Sequence, residues 1–164
     1  FDHYFEINAG IGAHKSPELY GAFPTDPYSH TPGGKGAQQP GMTGQVKEDI
    51  LCRFGELGMR VKDGILGFDS SIMKASEFIQ SEEVFQYVDV AQQKQSITLK
   101  KNSLAFTVCQ VPVVYKKASK SSTSVEFFDG PTKMFDANTL DAETTKHVFE
   151  RTHKIKQITV FVVK

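Results

Sequence analysis

The chain has 164 residues, enough for one domain with an appended segment. Hydrophobic residues make up 39% and charged residues 23%, values typical of a globular protein. Nineteen acidic side chains balance nineteen basic ones, so no long-range field would attract nucleic acid or an anionic membrane. No stretch approaches the roughly 20 apolar residues of a membrane span. We therefore expect neither nucleic acid nor membrane as a partner.

Residues 1–42 predict an extended arm rich in proline, glycine and aromatic residues. They contain five of the seven prolines, and no helical or strand period runs through them. Their aromatic content exceeds that of a disordered tail, so we expect a long ordered loop that packs on something. Since the first residue is Phe1 and not methionine, we also expect the chain to be part of a longer protein.

An amphipathic helix is predicted over residues 43–58. Thr43 is suited to the N-cap, and Gly58 to the left-handed position after the last turn. Gly55 lies inside the helix at a cost of about 1 kcal/mol relative to alanine, which close approach of a neighbouring element would explain. The apolar stripe has steps of three and four residues. It consists of Met42, Val46, Ile50, Leu51, Phe54 and Leu57.

Short strands dominate the rest of the chain. Asp63-Gly64, with alternating apolar residues on both sides, is a strong hairpin signal. Residues 70–80 predict a short helical connector. The strands that follow are separated mostly by turn residues, and their regular spacing favours a β-sandwich. They are predicted at 84–90, 96–99, 104–109, 111–117 and 124–130.

The C-terminal segments add one helix and one strand. Residues 141–151 predict a short helix, with Asp141 and Glu143 favourably placed in its first turn. The apolar segment QITVFVVK predicts a central strand. Pro112 should lie on an edge strand or at a bulge. The predicted fold is thus mainly β with some α: an arm (1–42), a helix (43–58) and an antiparallel β-sandwich domain (59–164).

The start of the first helix is a candidate anion-binding site. Thr43, Gly44 and Gln45 place backbone N–H groups and a hydroxyl where a phosphate, a sulfate or a sugar oxygen could bind. An ordinary N-cap after a glycine turn accounts for the same residues. The segment lacks the Gly-Lys-Ser/Thr of a P-loop and the preceding strand of a dinucleotide-binding fingerprint.

The arm carries a second candidate, a loop that mixes aromatic, imidazole and carboxylate groups. Such groups suit carbohydrate, whose ring has an apolar face and a rim of hydroxyls. A loop whose aromatic side chains fill a hydrophobic gap is the alternative. The candidate carbohydrate-binding residues, including a neighbouring glutamine pair, are His14, Tyr20, Asp26, Tyr28, His30, Gln38 and Gln39.

Other reactive side chains give weaker signals. His14 and His30 are sixteen residues apart with no third ligand at a recognisable spacing, so we expect no metal site. Cys52 and Cys109 are expected to be reduced, buried thiols. His147 and His153 should face solvent. No catalytic residue and no cofactor are predicted, and the GxSxG motif of serine hydrolases is absent.

One stretch resembles the C-terminal part of inverting glycoside phosphorylases and related hydrolases, the cellobiose and maltose phosphorylase kinds. In those families the last helix of a helical toroid leads through a leucine-glycine-hydrophobic-arginine segment into a β-sandwich cap. The stretch 33–70 follows this form, although Ser70 stands where the families have proline. The matching residues are Leu57, Gly58, Met59, Arg60, Val61, Gly64, Leu66, Phe68 and Asp69.

The resemblance implies a carbohydrate-active enzyme, either a glycoside hydrolase or a phosphorylase. Its substrate would be a carbohydrate, with inorganic phosphate as a further partner in a phosphorylase. Thr43, Gly44 and Gln45 match the segment that contacts phosphate in the phosphorylases, with Gln45 in place of a small residue. The catalytic acid, an aspartate far upstream in those families, has no counterpart here. The chain alone should be inactive and should pack against the N-terminal part of its parent.

The alternative is a non-catalytic β-sandwich module that binds a partner or has a structural role. Such a module should not expose an apolar helix surface, whereas a cap separated from its toroid should. Localisation is not determined by the residues; the resemblance favours the cytoplasm slightly, because the phosphorylases are cytoplasmic while hydrolases of similar build can be exported.

Overall fold

The computed structural model describes residues 50–164. The chain divides into two units, Phe1–Arg53 and Phe54–Lys164, and every contact below lies within the second. This part of the chain is mainly β, as predicted, with two helices and open sheets. The elements are α1 (50–56), β1 (Met59–Lys62), β2 (Ile65–Phe68), β3 (Glu83–Val88), β4 (Lys94–Leu99), β5 (Ser103–Val108), β6 (Val111–Lys117), β7 (Ser122–Phe127), β8 (Lys133–Phe135), α2 (Ala142–Phe149) and β9 (Ile155–Val162).

The hairpin predicted around Asp63-Gly64 is confirmed. Strands β1 and β2 pair antiparallel, with Lys62 opposite Ile65. Asp63 has φ 51° and Gly64 has φ 75°. Positive φ at both central residues defines the type I′ turn, whose twist matches that of the flanking strands. Because side chains alternate along a strand, this register places Arg60 and Gly67 on one face and Val61 and Leu66 on the other.

Gly58 ends the first helix in the left-handed conformation, as predicted, with φ 66°. A Cβ atom here would lie only 1.6 Å from the carbonyl oxygen of Asp69. Gly58 and Asp69 are joined by a backbone hydrogen bond of 2.7 Å, which fixes the helix end against the end of β2. At Gly55, in contrast, a Cβ atom would have no described atom within 4 Å, so the close approach expected there is not found in this part of the chain.

A five-stranded sheet of order β5-β6-β9-β7-β8 forms the largest layer. Strand β9 is central, as its apolar sequence predicted. All strand pairings are antiparallel apart from β6 with β9, which is parallel. The chain between these two strands forms β7, β8 and α2, which is long enough to return to the same edge and make a parallel pair.

Pro112 does not lie on an edge strand, because β6 has neighbours on both sides. The prediction was wrong for the strand, but a local feature makes proline acceptable. Pro112 is opposite Thr107 on β5, next to the hairpin turn, and pairing with β9 begins only at Val113. The turn pair Val108–Val111 is the hydrogen-bonded one, so the missing N–H of Pro112 points away from β5, on the side where β9 has not yet begun.

The hydrophobic core covers one face of this sheet. Val113, Tyr115, Val125 and Val160 are fully buried there. Leu66 and Phe68 of β2 and Val148 of α2 belong to the same cluster, so hairpin β1–β2 and helix α2 cover the sheet. The Tyr115 hydroxyl donates a hydrogen bond to the carbonyl of Leu57, and burial raises the pKa of that hydroxyl.

Helix α2 follows the prediction closely. Asp141 is its N-cap, and one carboxylate oxygen accepts from the Thr144 backbone N–H at 2.8 Å. The Thr145 hydroxyl accepts from the Leu66 N–H at 3.1 Å, tying the helix to β2. Phe149, expected on the apolar side of this helix, is 44% exposed instead.

Four further local predictions differ from the structure. The connector at 70–80 contains only a 3-10 turn, Ala75–Glu77. Strand β8 was not predicted, since three residues are too few to show a period. Cys109, assigned to the end of a strand, is the first residue of the two-residue β5–β6 turn, with φ 49°. Both cysteines are free and half-buried, whereas full burial was expected.

Hairpin β3–β4 forms a separate two-stranded sheet. Its turn is held by Asp89, whose carboxylate accepts from the Gln93 N–H at 2.9 Å and the Gln95 side chain at 2.8 Å. The hydrogen bond from Gln93, followed by that from Gln95, lowers the pKa of Asp89. Gln110, in the β5–β6 turn, donates to the Asp89 carbonyl at 3.0 Å and joins the two turns.

Candidate functional site

The site residues predicted from the sequence lie outside the described residues. This applies to the carbohydrate-binding set His14, Tyr20, Asp26, Tyr28, His30, Gln38 and Gln39, and to the anion-binding set Thr43, Gly44 and Gln45. Both sets therefore remain predictions. The described part of the chain carries several concave sites of its own, two of which lie on opposite faces of hairpin β1–β2.

The first site, the Gly67 cleft, has a volume of about 560 Å³. This lies within the range of roughly 300–1,000 Å³ found for small-molecule pockets. Its lining combines charged, polar and apolar residues. They are Arg60, Lys62, Asp63, Ile65, Gly67, Phe68, Asp69, Asn138 and Thr139.

A third backbone segment completes the wall of this cleft. Residues 138–140 run antiparallel to β2, with Gly67 opposite Thr139. The Phe68 N–H donates to the Asn138 carbonyl at 2.8 Å, and the Leu140 N–H donates to the Leu66 carbonyl at 2.9 Å. Gly67 is also opposite Arg60, so it stands between Arg60 and Thr139 on one face. Because Gly67 has no side chain, this face is hollow at its centre.

The charges of the Gly67 cleft are balanced. The Arg60 guanidinium is 2.9 Å from the Asp69 carboxylate. Hydrogen bonds from the Ser71 side chain and backbone are the main cause that lowers the pKa of Asp69, and the Arg60 charge lowers it further, so this carboxylate is ionised at neutral pH. Lys62 is exposed and has no ion pair within residues 50–164. Two cations and two carboxylates thus line the cleft.

Asn138 contributes an unpaired polar atom. Its Oδ1 atom is buried, yet it has no hydrogen-bond partner within residues 50–164. A buried acceptor without a donor costs about 1–3 kcal/mol, so its presence needs an explanation. A ligand hydroxyl or a water molecule could supply the missing donor.

The second site, the Phe54 cleft, is apolar and has a volume of about 220 Å³. Its lining is Phe54, Met59, Val61, Leu66, Thr107, Val108, Cys109 and Phe149. Three large side chains at this cleft are about half exposed: Phe54 at 48%, Val61 at 58% and Phe149 at 44%. In the other unit, Ile50 and Leu51 of α1 are also exposed. Phe54, Val61 and Phe149 are grouped at one cleft, and grouped apolar side chains mark an interaction surface more often than single ones do.

Hairpin β3–β4 carries a further concave site of about 520 Å³, lined by Gln86, Tyr87, Val88, Lys94, Gln95 and Ser96. The rings of Phe85 and Tyr87 stack with centroids 5.7 Å apart and planes inclined by 12°. Burial, and then the Asp89 charge, raises the pKa of Tyr87. The neighbouring Gln95 amide is bound to Asp89, so it is committed to the turn and not free for a ligand.

The remaining candidates have local partners. His147 is half-buried, with Nδ1 3.2 Å from the Thr152 hydroxyl, whereas it was expected to face solvent. His153 is exposed, as expected, and its ring contacts Phe128 edge to face. Residues 50–164 contain no group of three or more histidine, cysteine or acidic side chains that could hold a metal ion. No helix in that range is long and apolar enough to cross a membrane.

The sequence pattern predicts the side of the Gly67 cleft that hairpin β1–β2 forms, although the cleft itself was not predicted. Alternation about Asp63-Gly64 places Arg60 and Lys62 on the face opposite the core, and this could have been read from the pattern. Asn138 and Thr139 could not, because a single bridge of irregular chain has no period.

No protein-family model matches the chain. A search of curated proteins also finds no match.

Proposed function

We propose that this chain is the C-terminal portion of an inverting carbohydrate-active enzyme, a glycoside hydrolase or phosphorylase. In this proposal residues 59–164 form a cap that follows the last toroid helix, and the apolar surface of residues 54–164 packs against the rest of the enzyme. The observation that carries the proposal is the Phe54 cleft, where Phe54, Val61 and Phe149 are about half exposed around an apolar hollow.

This surface lies where the resemblance requires an interface. Phe54 belongs to α1, which corresponds to the last toroid helix, and Val61 belongs to the motif that leads into the cap. Burying apolar surface stabilises an interface by about 25 cal/mol per Å², so three half-exposed side chains of this size favour a packing partner.

The motif residues have structural roles that fit a rigid joint between helix and cap. The Gly58 carbonyl accepts a hydrogen bond from the Asp69 N–H. The Asp69 backbone lies so close that no side chain fits at residue 58. Arg60 pairs with the carboxylate of the same Asp69. These contacts support the resemblance, because the glycine, arginine and aspartate of the motif all join the end of α1 to the end of β2.

We further propose that the cap is a β-sandwich. Its first layer is the five-stranded sheet, and its second layer consists of hairpin β1–β2, extended by residues 138–140. The common hydrophobic cluster of β2, β6, β7 and β9 supports this arrangement. Hairpin β3–β4 is then an addition to the sandwich.

The chemistry of the proposed enzyme is acid-assisted displacement with inversion. An upstream acid protonates the leaving glycosidic oxygen, and water or phosphate attacks the opposite face of the sugar ring. Thr43, Gly44 and Gln45 would bind the attacking anion, while the loop with His14, Tyr20, Asp26, Tyr28 and His30, together with Gln38 and Gln39, would border the sugar subsites.

The test is an assay of the product of the complete reading frame that encodes this chain. We expect cleavage of disaccharides with inversion at the anomeric carbon, followed by proton NMR with and without phosphate. In a phosphorylase, Thr43→Ala should raise the KM for phosphate more than the KM for the sugar. Absence of both hydrolysis and phosphorolysis across α- and β-linked disaccharides would refute the proposal.

A second candidate function is a non-catalytic binding module. The Gly67 cleft favours it, because a hollow with balanced polar groups is a site in its own right. Cleavage activity in the complete protein, lost on Tyr28→Ala, separates the enzyme from the module.

A further inference from the structure

We propose that the Gly67 cleft binds the ring of a neutral saccharide. The inference goes beyond the proposed function: it uses none of the residues assigned to the catalytic pocket, and it holds for an enzyme cap and for a binding module alike.

The shape of the cleft is the first step. Gly67 stands opposite Arg60 on one side and Thr139 on the other, and its missing side chain leaves the hollow between them. The backbone does not require glycine here, because the φ of Gly67 is not in the left-handed range. An added Cβ would be 3.5 Å from the nearest atoms, the Asn138 carbonyl oxygen and the Thr139 hydroxyl, which is ordinary contact. A side chain at residue 67 would therefore fit the strand, and the cleft is hollow because glycine has none.

The polar groups are the second step. Arg60, Lys62 and the Thr139 hydroxyl can donate hydrogen bonds, and Asp63 and Asp69 can accept them. Sugar hydroxyls both donate and accept, so they can satisfy such a mixed rim. Ile65 and Phe68 add apolar surface to the lining, which suits the C–H face of a sugar ring.

The balance of charge excludes the main competitors. An anion site needs an excess of positive charge, but the carboxylates of Asp63 and Asp69 offset Arg60 and Lys62. A purely apolar ligand would desolvate these four charges, of which only Arg60 and Asp69 are paired with each other. A neutral molecule with many hydroxyl groups incurs neither cost.

The unpaired Oδ1 atom of Asn138 is the independent observation. Asn138 lines the cleft, and its buried Oδ1 atom has no hydrogen-bond donor among residues 50–164. Rotation of this side chain toward the cleft would let a ligand hydroxyl supply that donor.

The test is a proton–nitrogen NMR titration of the 164-residue chain with maltose and with cellobiose as probes. We expect shift changes at the amides of residues 60–69 and 138–139 with at least one probe, saturating at millimolar concentration. Gly67→Leu should abolish them, because its side chain fills the hollow. Gly55→Leu is the matched control and should leave binding unchanged, since Gly55 also has an ordinary φ and a Cβ there would meet no atom of the described residues within 4 Å.

A second variant guards against misfolding. Lys62→Ala removes an exposed side chain with no ion pair in the described region, and it should weaken binding with no change in the thermal midpoint; Lys101→Ala, in the exposed β4–β5 turn, should do neither. Shifts that survive in Gly67→Leu, or no shifts with either sugar, would overturn the proposal. So would shifts at these amides with inorganic phosphate alone. Tyr28→Ala should not change binding at this cleft. Failure of the saccharide-binding proposal can therefore be distinguished from failure of the enzyme proposal.

Discussion

At the scale of single residues, Gly58 shows how one position is constrained twice. Its φ of 66° is unfavourable for any residue with a Cβ atom. Its neighbour Asp69 also occupies the space that such an atom would need. Gly64 shares the first constraint, with φ 75°, but a Cβ there would meet nothing within 4 Å of described structure. The two glycines therefore separate conformational strain from steric exclusion.

We predict that Gly58→Ala lowers the free energy of unfolding by about 3 kcal/mol or more, because backbone strain and collision with Asp69 add. Gly64→Ala should cost only about 1–2 kcal/mol, the price of the left-handed conformation. Urea unfolding followed by circular dichroism measures both. Equal losses in the two variants would show that residue 58 and Asp69 can move apart freely.

At the scale of elements, helix α2 depends on its first residue. Asp141 caps the Thr144 N–H and forms an ion pair with Lys133 of β8, so it links helix and sheet. Burial alone would raise the pKa of Asp141, but the hydrogen bonds from Lys133 and Thr144 outweigh burial and lower it to about 2. The carboxylate is thus bound in its ionised form.

We predict that Asp141→Ala lowers the free energy of unfolding at pH 7 by about 1 kcal/mol through loss of the cap. Asp141→Asn keeps a capping oxygen and removes only the charge, so it should cost less. Because the ion pair with Lys133 is about two-fifths exposed, solvent screening reduces its share. An equal loss in the two variants would indicate that the charge, which both remove, matters more than the capping oxygen.

The ionisation of Asp141 should also make the free energy of unfolding depend on pH. A carboxylate with a lowered folded-state pKa contributes stability above its unfolded pKa of about 3.9 and loses it as pH falls. The Asp141 contribution should therefore be complete above about pH 4 and disappear as the pH approaches 2. Urea titrations between pH 5 and pH 2 measure this contribution. It is the difference in the free energy of unfolding between wild type and Asp141→Asn. A constant difference over this interval would contradict the assigned pKa.

At the scale of the whole molecule, the exposed apolar side chains around the Phe54 cleft should be visible in solution. We predict that the 164-residue chain binds the dye ANS, and that Val61→Thr combined with Phe149→Ser reduces the fluorescence. Val84→Thr is the control: Val84 is 61% exposed, as much as Val61, but it lies on β3 away from the cleft lining. An equal reduction in the control would show that the dye does not recognise this cleft.

The strand and helix pattern of residues 59–164 was largely determined by the sequence. Asp63-Gly64 fixed a hairpin because few residue pairs adopt positive φ at low cost, and Asp141 fixed a helix start because its carboxylate satisfies a free N–H. These are local effects, contained in a few neighbouring residues. Strand β9 was placed at the centre by its own apolar composition, which only a strand covered on both sides tolerates.

Pairing between distant segments was decided only by the tertiary structure. The parallel alignment of β6 with β9 and the approach of Asn138 and Thr139 to Gly67 both join residues more than forty positions apart. Pro112 is tolerated inside β6 because that pairing with β9 begins only at Val113. No local period encodes such contacts, because many pairings bury similar apolar surface and packing selects among them. The hollow at Gly67 therefore forms only when three backbone segments meet, whereas the turn of hairpin β1–β2 is determined locally by Asp63-Gly64.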